Sequence, residues 1–118
     1  MCIRDIVKYR YGIDLPIHGG SGRDIDDPIF LEITKDNNII AIEKAVLICL
    51  GVINDYDWQP ISQTLHLVDN KKVDQIDIQI FEDNDLYSYR IEKYYFEITK
   101  CFDRFSADVA KYLAKSEN

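Results

Sequence analysis

Residues that build metal and catalytic sites are scarce in this chain, which has two histidines and three cysteines. His18 and His66 lie far apart, and Cys2, Cys49 and Cys101 form none of the close pairs that a zinc site uses. An odd cysteine count, with Cys49 and Cys101 inside apolar helical patterns, points to buried free thiols in a reducing cytoplasm. No stretch of about 18 apolar residues occurs, so no membrane-spanning helix is expected. The longest apolar block, 39–53, is broken by Glu43 and Lys44. Arg4, Asp5, Lys8 and Arg10 interrupt any region that could resemble a signal peptide.

A basic excess is missing too. Lys and Arg number 14 against 21 Asp and Glu, a net charge of −7. A protein that binds a phosphate backbone would show the opposite sign, so nucleic acid is not the expected partner. The acidity is uneven. Residues 1–53 carry net −2, residues 54–85 net −6 and residues 86–118 net +1. A negative field concentrated in the middle third repels phosphate and attracts basic proteins.

What is present is the material of one ordinary domain, residues 1–118, with 47% hydrophobic and 12% aromatic residues. A chain of this length buries roughly two-thirds of its unfolded surface, enough for a core without staples. The organising stretch is 58–99, which reads as a three-stranded antiparallel meander. Within it Ile76, Ile78 and Ile80 alternate strictly with Gln75, Asp77 and Gln79. A period of two gives one buried face and one polar face. The fold class that follows is α+β: an antiparallel sheet of about four strands with helices packed on one face.

The remaining elements follow from spacing. Ile3, Ile6, Val7 and Tyr11 predict a short helix closed by Gly12. Residues 13–28, with two prolines, three glycines and several aspartates, read as a long loop. A strand is predicted at 29–34. Asn38 is placed to cap a helix whose apolar residues Ile39, Ile42, Val46, Cys49 and Leu50 run up to Gly51. The alternative is that 39–42 finish a hairpin first, since isoleucine is β-branched. Strands are expected at 62–68, at 73–82 and from 86 onward. In the last, Tyr87, Tyr89 and Ile91 are out of phase with Tyr94, Phe96 and Ile98, which predicts a bulge near Glu92 and Lys93. Thr99 is placed to cap a final amphipathic helix carrying Phe102, Phe105, Val109, Tyr112 and Leu113.

Four stretches could carry chemistry. The glycine-rich run from His18 to Asp24 could cradle phosphate with Arg23 adding charge, but no Gly-Lys-Ser or Gly-Lys-Thr closes it and a strand follows. Turn glycines are the better reading. Asp24, Asp26 and Asp27 lack the glycine and twelfth-position glutamate of a calcium loop and read as a solvated turn. His18, Ser21 and Asp24 crowd one loop with no nucleophile elbow, and His66 falls on a polar strand face. Neither a catalytic residue nor a metal or cofactor site is assigned. The fourth stretch differs in kind: Asp55, Tyr56 and Asp57 join carboxylates to an aromatic, and Trp58 follows as a core anchor. Aromatics with a charged rim are what protein interfaces use. Glu82, Asp83 and Asp85 could extend the same surface.

In size, acidity and lack of catalytic residues the chain resembles the small immunity proteins that bacteria encode beside polymorphic or contact-dependent toxins. The segments Pro16-Ile-His-Gly-Gly-Ser-Gly22 and Tyr94-Tyr-Phe-Glu-Ile-Thr99 are similar in style to those of small bacterial proteins. The resemblance implies a non-enzymatic cytoplasmic inhibitor that binds a cognate toxin. A basic partner, such as a nuclease, is then expected at Asp55, Tyr56, Asp57, Glu82, Asp83 and Asp85. Two alternatives stand beside it: a ligand-binding or enzymatic domain using the 13–28 loop, and a structural subunit that associates through its sheet face or edge.

Overall fold

The strict alternation of isoleucines at 76, 78 and 80 does build the centre of the protein. In the computed structural model, which describes residues 3–32, 38–81 and 88–102, those three side chains are buried on one face of a sheet. The described elements run α1 (Ile3–Tyr11), β1 (Ile17–Asp24), β2 (Asp27–Leu31), α2 (Ile39–Asn54), β3 (Asp57–Val68), β4 (Lys71–Phe81) and β5 (Tyr89–Glu97). A further helix opens at Thr99 and is described through Phe102. The class is α+β. No helix among the described residues is long and apolar enough to cross a membrane.

The sheet has five strands in the order β1-β2-β5-β4-β3, not about four. Nor is it wholly antiparallel, because β2 pairs with β5 in parallel through Ile29 and Phe96. The extra strand is β1, which together with the start of β2 makes much of 13–28 a hairpin and not a loop. Its register jumps between Gly19 and Asp24. Gly19 and Gly22 hold positive φ of 90° and 77° there, a conformation open to glycine and costly to other residues. Glycine content suppressed the strand signal while serving the strand's irregularity.

Helix ends follow their sequence cues. Gly12 sits at φ 67° and its N–H reaches the Lys8 carbonyl at 3.0 Å, closing α1. Asn38 accepts a hydrogen bond from the Ala41 N–H at 3.0 Å, capping α2. Helix α2 takes in residues 39–42, so the hairpin alternative is not realised, and it runs past Gly51 to Asn54. Thr99 takes a different bond from the one expected: its Oγ1 accepts from the Lys72 N–H at 2.9 Å, tying the final helix to the start of β4.

Both helices join one hydrophobic cluster with the even-numbered face of β4. Val7 of α1, Val46 and Leu47 of α2, Ile78, Phe96 and Cys101 all lie in it. The opposite face is a ladder of side-chain hydrogen bonds: Gln59 to Gln79 at 2.8 Å, Ser62 to Asp77 at 3.2 Å, Gln75 to Asp77 at 2.7 Å and His66 to Gln75 at 2.6 Å.

The bulge expected near Glu92 and Lys93 is not there. Strands β4 and β5 keep one register from Val73↔Glu97 to Phe81↔Tyr89. Tyr89 and Ile91 are instead left exposed on the open face, while Arg90 and Glu92 take core-side positions. Those positions are tolerable because the core gives way there to a polar cluster. Arg23 pairs with Glu92 at 3.0 Å, and the Tyr94 hydroxyl donates to Glu92 at 2.8 Å. The register shift falls elsewhere, at Pro60–Ser62 of the edge strand β3, where a missing N–H costs no ladder bond.

Candidate functional site

The stretch singled out in the sequence, Asp55 to Asp57, forms the corner between α2 and β3. Helix α2 ends because Asp55 adopts the left-handed conformation, φ 54° and ψ 54°. Its N–H reaches the Val52 carbonyl at 3.4 Å, and the Tyr56 N–H reaches the Gly51 carbonyl at 3.0 Å. This pair of bonds is a Schellman closure, made with aspartate where glycine is the usual residue. Asp55 and Asp57 are exposed, and Tyr56 is half-buried.

Tyr56 is committed largely to the protein itself. The Arg90 guanidinium lies 5.8 Å from its ring centroid. Its hydroxyl is buried beside that of Tyr94 with no hydrogen bond of good geometry. Burial pushes the Tyr56 phenol up, and burial together with Tyr56 and Glu92 pushes Tyr94 up further. Burial would also raise Glu92, but the Tyr94 hydrogen bond and the charges of Arg23 and Arg90 outweigh it and hold this carboxyl low.

Beside the corner is a groove of about 630 Å³. Ile48 and Val52 form its helical wall, Trp58 and Phe81 its strand wall, and Asp55 and Asp57 its rim. Trp58 packs against the core cluster and lies close to Gly51. A Cβ at Gly51 would sit 3.0 Å from Trp58 Cδ1 and 3.1 Å from Nε1. The lone tryptophan is therefore both core anchor and groove wall.

Electrostatically the rim opposes the helix beneath it. A helix C-terminus carries partial negative charge and favours cations. The last turn of α2 holds no basic residue, and Asp55 and Asp57 add two negative charges there.

The acidic third is not one surface. Of its acids, Asp55 and Asp57 meet at the groove. Asp69 stands in the β3–β4 turn at the far end of β3, and Asp77 is held in the open-face ladder. Glu82, Asp83 and Asp85 lie outside the described residues. Asp74 is buried at 3% exposure, against Glu43 of α2 at 2%. Sequence reading missed this pair, although the parity of Asp74 with Ile76, Ile78 and Ile80 places it on the core face. Glu43 likewise sits among Ile42, Val46 and Leu47 on the buried side of its helix. Two carboxyls in contact cannot both ionise cheaply. Burial first, and then the hydrogen bond and charge of Asp74, push Glu43 up to about 10. Glu43 Oε2 has no hydrogen-bond partner, while Gln63 donates to Asp74 Oδ2.

Several amides of the glycine-rich hairpin are already taken by its own side chains. The Ser21 N–H is already bound by Asp27 Oδ2 at 3.1 Å, and a Cβ at Gly20 would collide with the same carboxylate. The Asp26 N–H is taken by Asp24 Oδ1 at 2.9 Å. Among the described residues no group of three or more His, Cys, Asp or Glu could hold a metal ion. Cys49 is a free thiol, and the Cys101 thiol donates to the Glu32 carbonyl at 3.3 Å. No family model, no curated protein and no solved structure matches the chain.

Proposed function

We propose that the chain is a non-enzymatic protein-binding domain of the immunity type, which inhibits a basic toxin, such as a nuclease, by binding it at the α2–β3 corner. The observation that carries this reading is the placement of Asp55 and Asp57, exposed at the negative end of α2 with no basic residue in its last turn, over a groove walled by Trp58. A cationic side chain from a partner would relieve that charge, and the groove would take an apolar neighbour. Negative charge there would also steer the encounter. The proposed interface centres on Asp55, Asp57 and Trp58, with Tyr56 supporting it from beneath.

The test is capture of the protein encoded by the neighbouring gene, using wild type, Asp55→Asn and Asp57→Lys. Asparagine is chosen at 55 because it tolerates the left-handed conformation. Each variant must keep its melting temperature. Truncating a desolvated charge at an interface costs about 2–5 kcal/mol, so at least one variant should release the partner, most readily at raised salt. Equal retention by both variants at low and moderate salt would remove this corner from the interface.

A further inference from the structure

We propose that a second slot between α2 and β3, beside Trp58, seats an ammonium or guanidinium group on an aliphatic stem, with the Glu43–Asp74 carboxyl pair as its counter-charge. The occupant is a lysine or arginine side chain of the partner, and this assignment of source rests on the reading of the corner given above.

Three observations lead there. The slot is a cavity of about 440 Å³ whose walls include Ile40, Leu47, Trp58, Pro60 and Ile61, surfaces suited to methylenes. Its polar lining includes Glu43, Ser62 and Gln63. Glu43 is almost wholly buried, yet its Oε2 has no partner. Glu43 lines the slot, and an orphaned buried carboxyl oxygen is costly unless a donor reaches it. With Asp74 alongside, one proton satisfies the pair only in part. A cation with several N–H donors would satisfy both oxygens and the charge together, releasing the proton to solvent. Trp58 also lines the first groove, so one partner surface could present a cation to each.

The groups facing Glu43 set the pH behaviour. Asp74 meets it from β4, Lys44 of α2 shares the slot's lining, and β3 contributes the neutral Ser62 and Gln63. Burial and Asp74 together keep Glu43 protonated at neutrality. An incoming cation must therefore displace a proton, and it binds better as pH rises.

The probe is n-butylammonium chloride, read by the fluorescence of the chain's one tryptophan, Trp58. Sodium chloride and n-butanol at equal concentration are controls. A saturable change is expected with butylammonium and not with either control. Glu43→Gln, which keeps the side chain's size, should weaken it at least tenfold. In wild type, with one proton displaced per cation, the affinity should rise by up to about tenfold per unit from pH 6 to pH 9. No saturable change in wild type, an equal response in Glu43→Gln, or a flat pH dependence would each overturn the slot as a cation seat. The pH arm decides the matter should the variant misfold. Nα-acetyl-lysine methylamide and spermidine then separate the sources. Tighter binding of the lysine derivative supports a protein side chain, and tighter binding of spermidine overturns the partner assignment. Because no partner is needed, failure here leaves the Asp55 and Asp57 experiment intact, and the converse also holds.

Discussion

The buried pair predicts an unusual pH profile of stability, set by Glu43. In the unfolded chain Glu43 titrates near its ordinary 4.5, and in the folded protein only near about 10. Between those values the unfolded state has lost a proton that the folded state keeps. Stability therefore falls as pH rises, by about 1.4 kcal/mol per unit. It is fully present below the unfolded value and is lost on the way up to the folded one. At pH 7 the interval from 4.5 is 2.5 units, a deficit on the order of 3 kcal/mol. Glu43→Gln carries no proton to hold. It should be more stable than wild type at pH 7, by up to about 3 kcal/mol, with the gap closing toward pH 5 and widening toward pH 8.5. Urea denaturation reads this directly, since such a difference moves the midpoint by about 1–3 M at ordinary slopes. Asp14 and Glu92, held low by their partners, lose their contributions only in acid, and Cys49, Tyr56 and Tyr94, pushed up by burial, act only in alkali. A wild-type midpoint that does not move between pH 5 and 8.5, or a Glu43→Gln variant weaker than wild type by the same amount throughout, would refute the reasoning.

Asp55→Gly should raise the melting temperature by a few degrees, because glycine takes the left-handed position without strain and one charge leaves the helix C-terminus, together worth about 1 kcal/mol. The same variant should capture the partner less well, and a thermal melt paired with the pull-down checks both at once. Gly20→Val should lower stability by about 1–3 kcal/mol in a urea titration, since its side chain would displace the Asp27 carboxylate that binds the Ser21 amide. Arg23→Ala should cost no more than about 1 kcal/mol, as its ion pair with Glu92 is half-exposed, and should leave partner capture unchanged.

How much of this was legible depended on whether the deciding interaction was local. The meander was readable because each strand's own alternation fixes its faces, and Asn38 and Gly12 announced their helix ends. The parallel pairing of Ile29 with Phe96 joins residues far apart in sequence and leaves no local trace. In β5 the phase argument failed because it took core-side positions to be apolar. Arg23 of β1 and Tyr56 of the α2–β3 corner, joined by Tyr94 of β5 itself, make that end of the core polar enough for Arg90 and Glu92. Summing charge over 54–85 failed in a related way. The sum cannot separate Asp57 at the rim from Asp77 in a hydrogen-bond ladder or Asp74 in the interior. The informative signal was parity: Asp74 is in phase with the buried isoleucines, and Asp77 is not.

The departures from stability are concentrated rather than scattered. Asp55 occupies a backbone conformation that glycine would take at lower cost. Asp55 and Asp57 stand at the helix end that disfavours them. Glu43 and Asp74 bury two acids where two apolar residues would pack at no electrostatic cost. These are three kinds of physical penalty: backbone strain, dipole repulsion and desolvation. The first two share Asp55, and the third lies apart, at Glu43 and Asp74. Yet they fall on one side of α2, along two cavities joined at Trp58. A sequence shaped for stability alone has no reason to align them. Positive charge brought to that side would offset two of the three at once and add a favourable role for the strained residue. The proposed cationic occupant would account for the coincidence with one assumption where folding alone needs two.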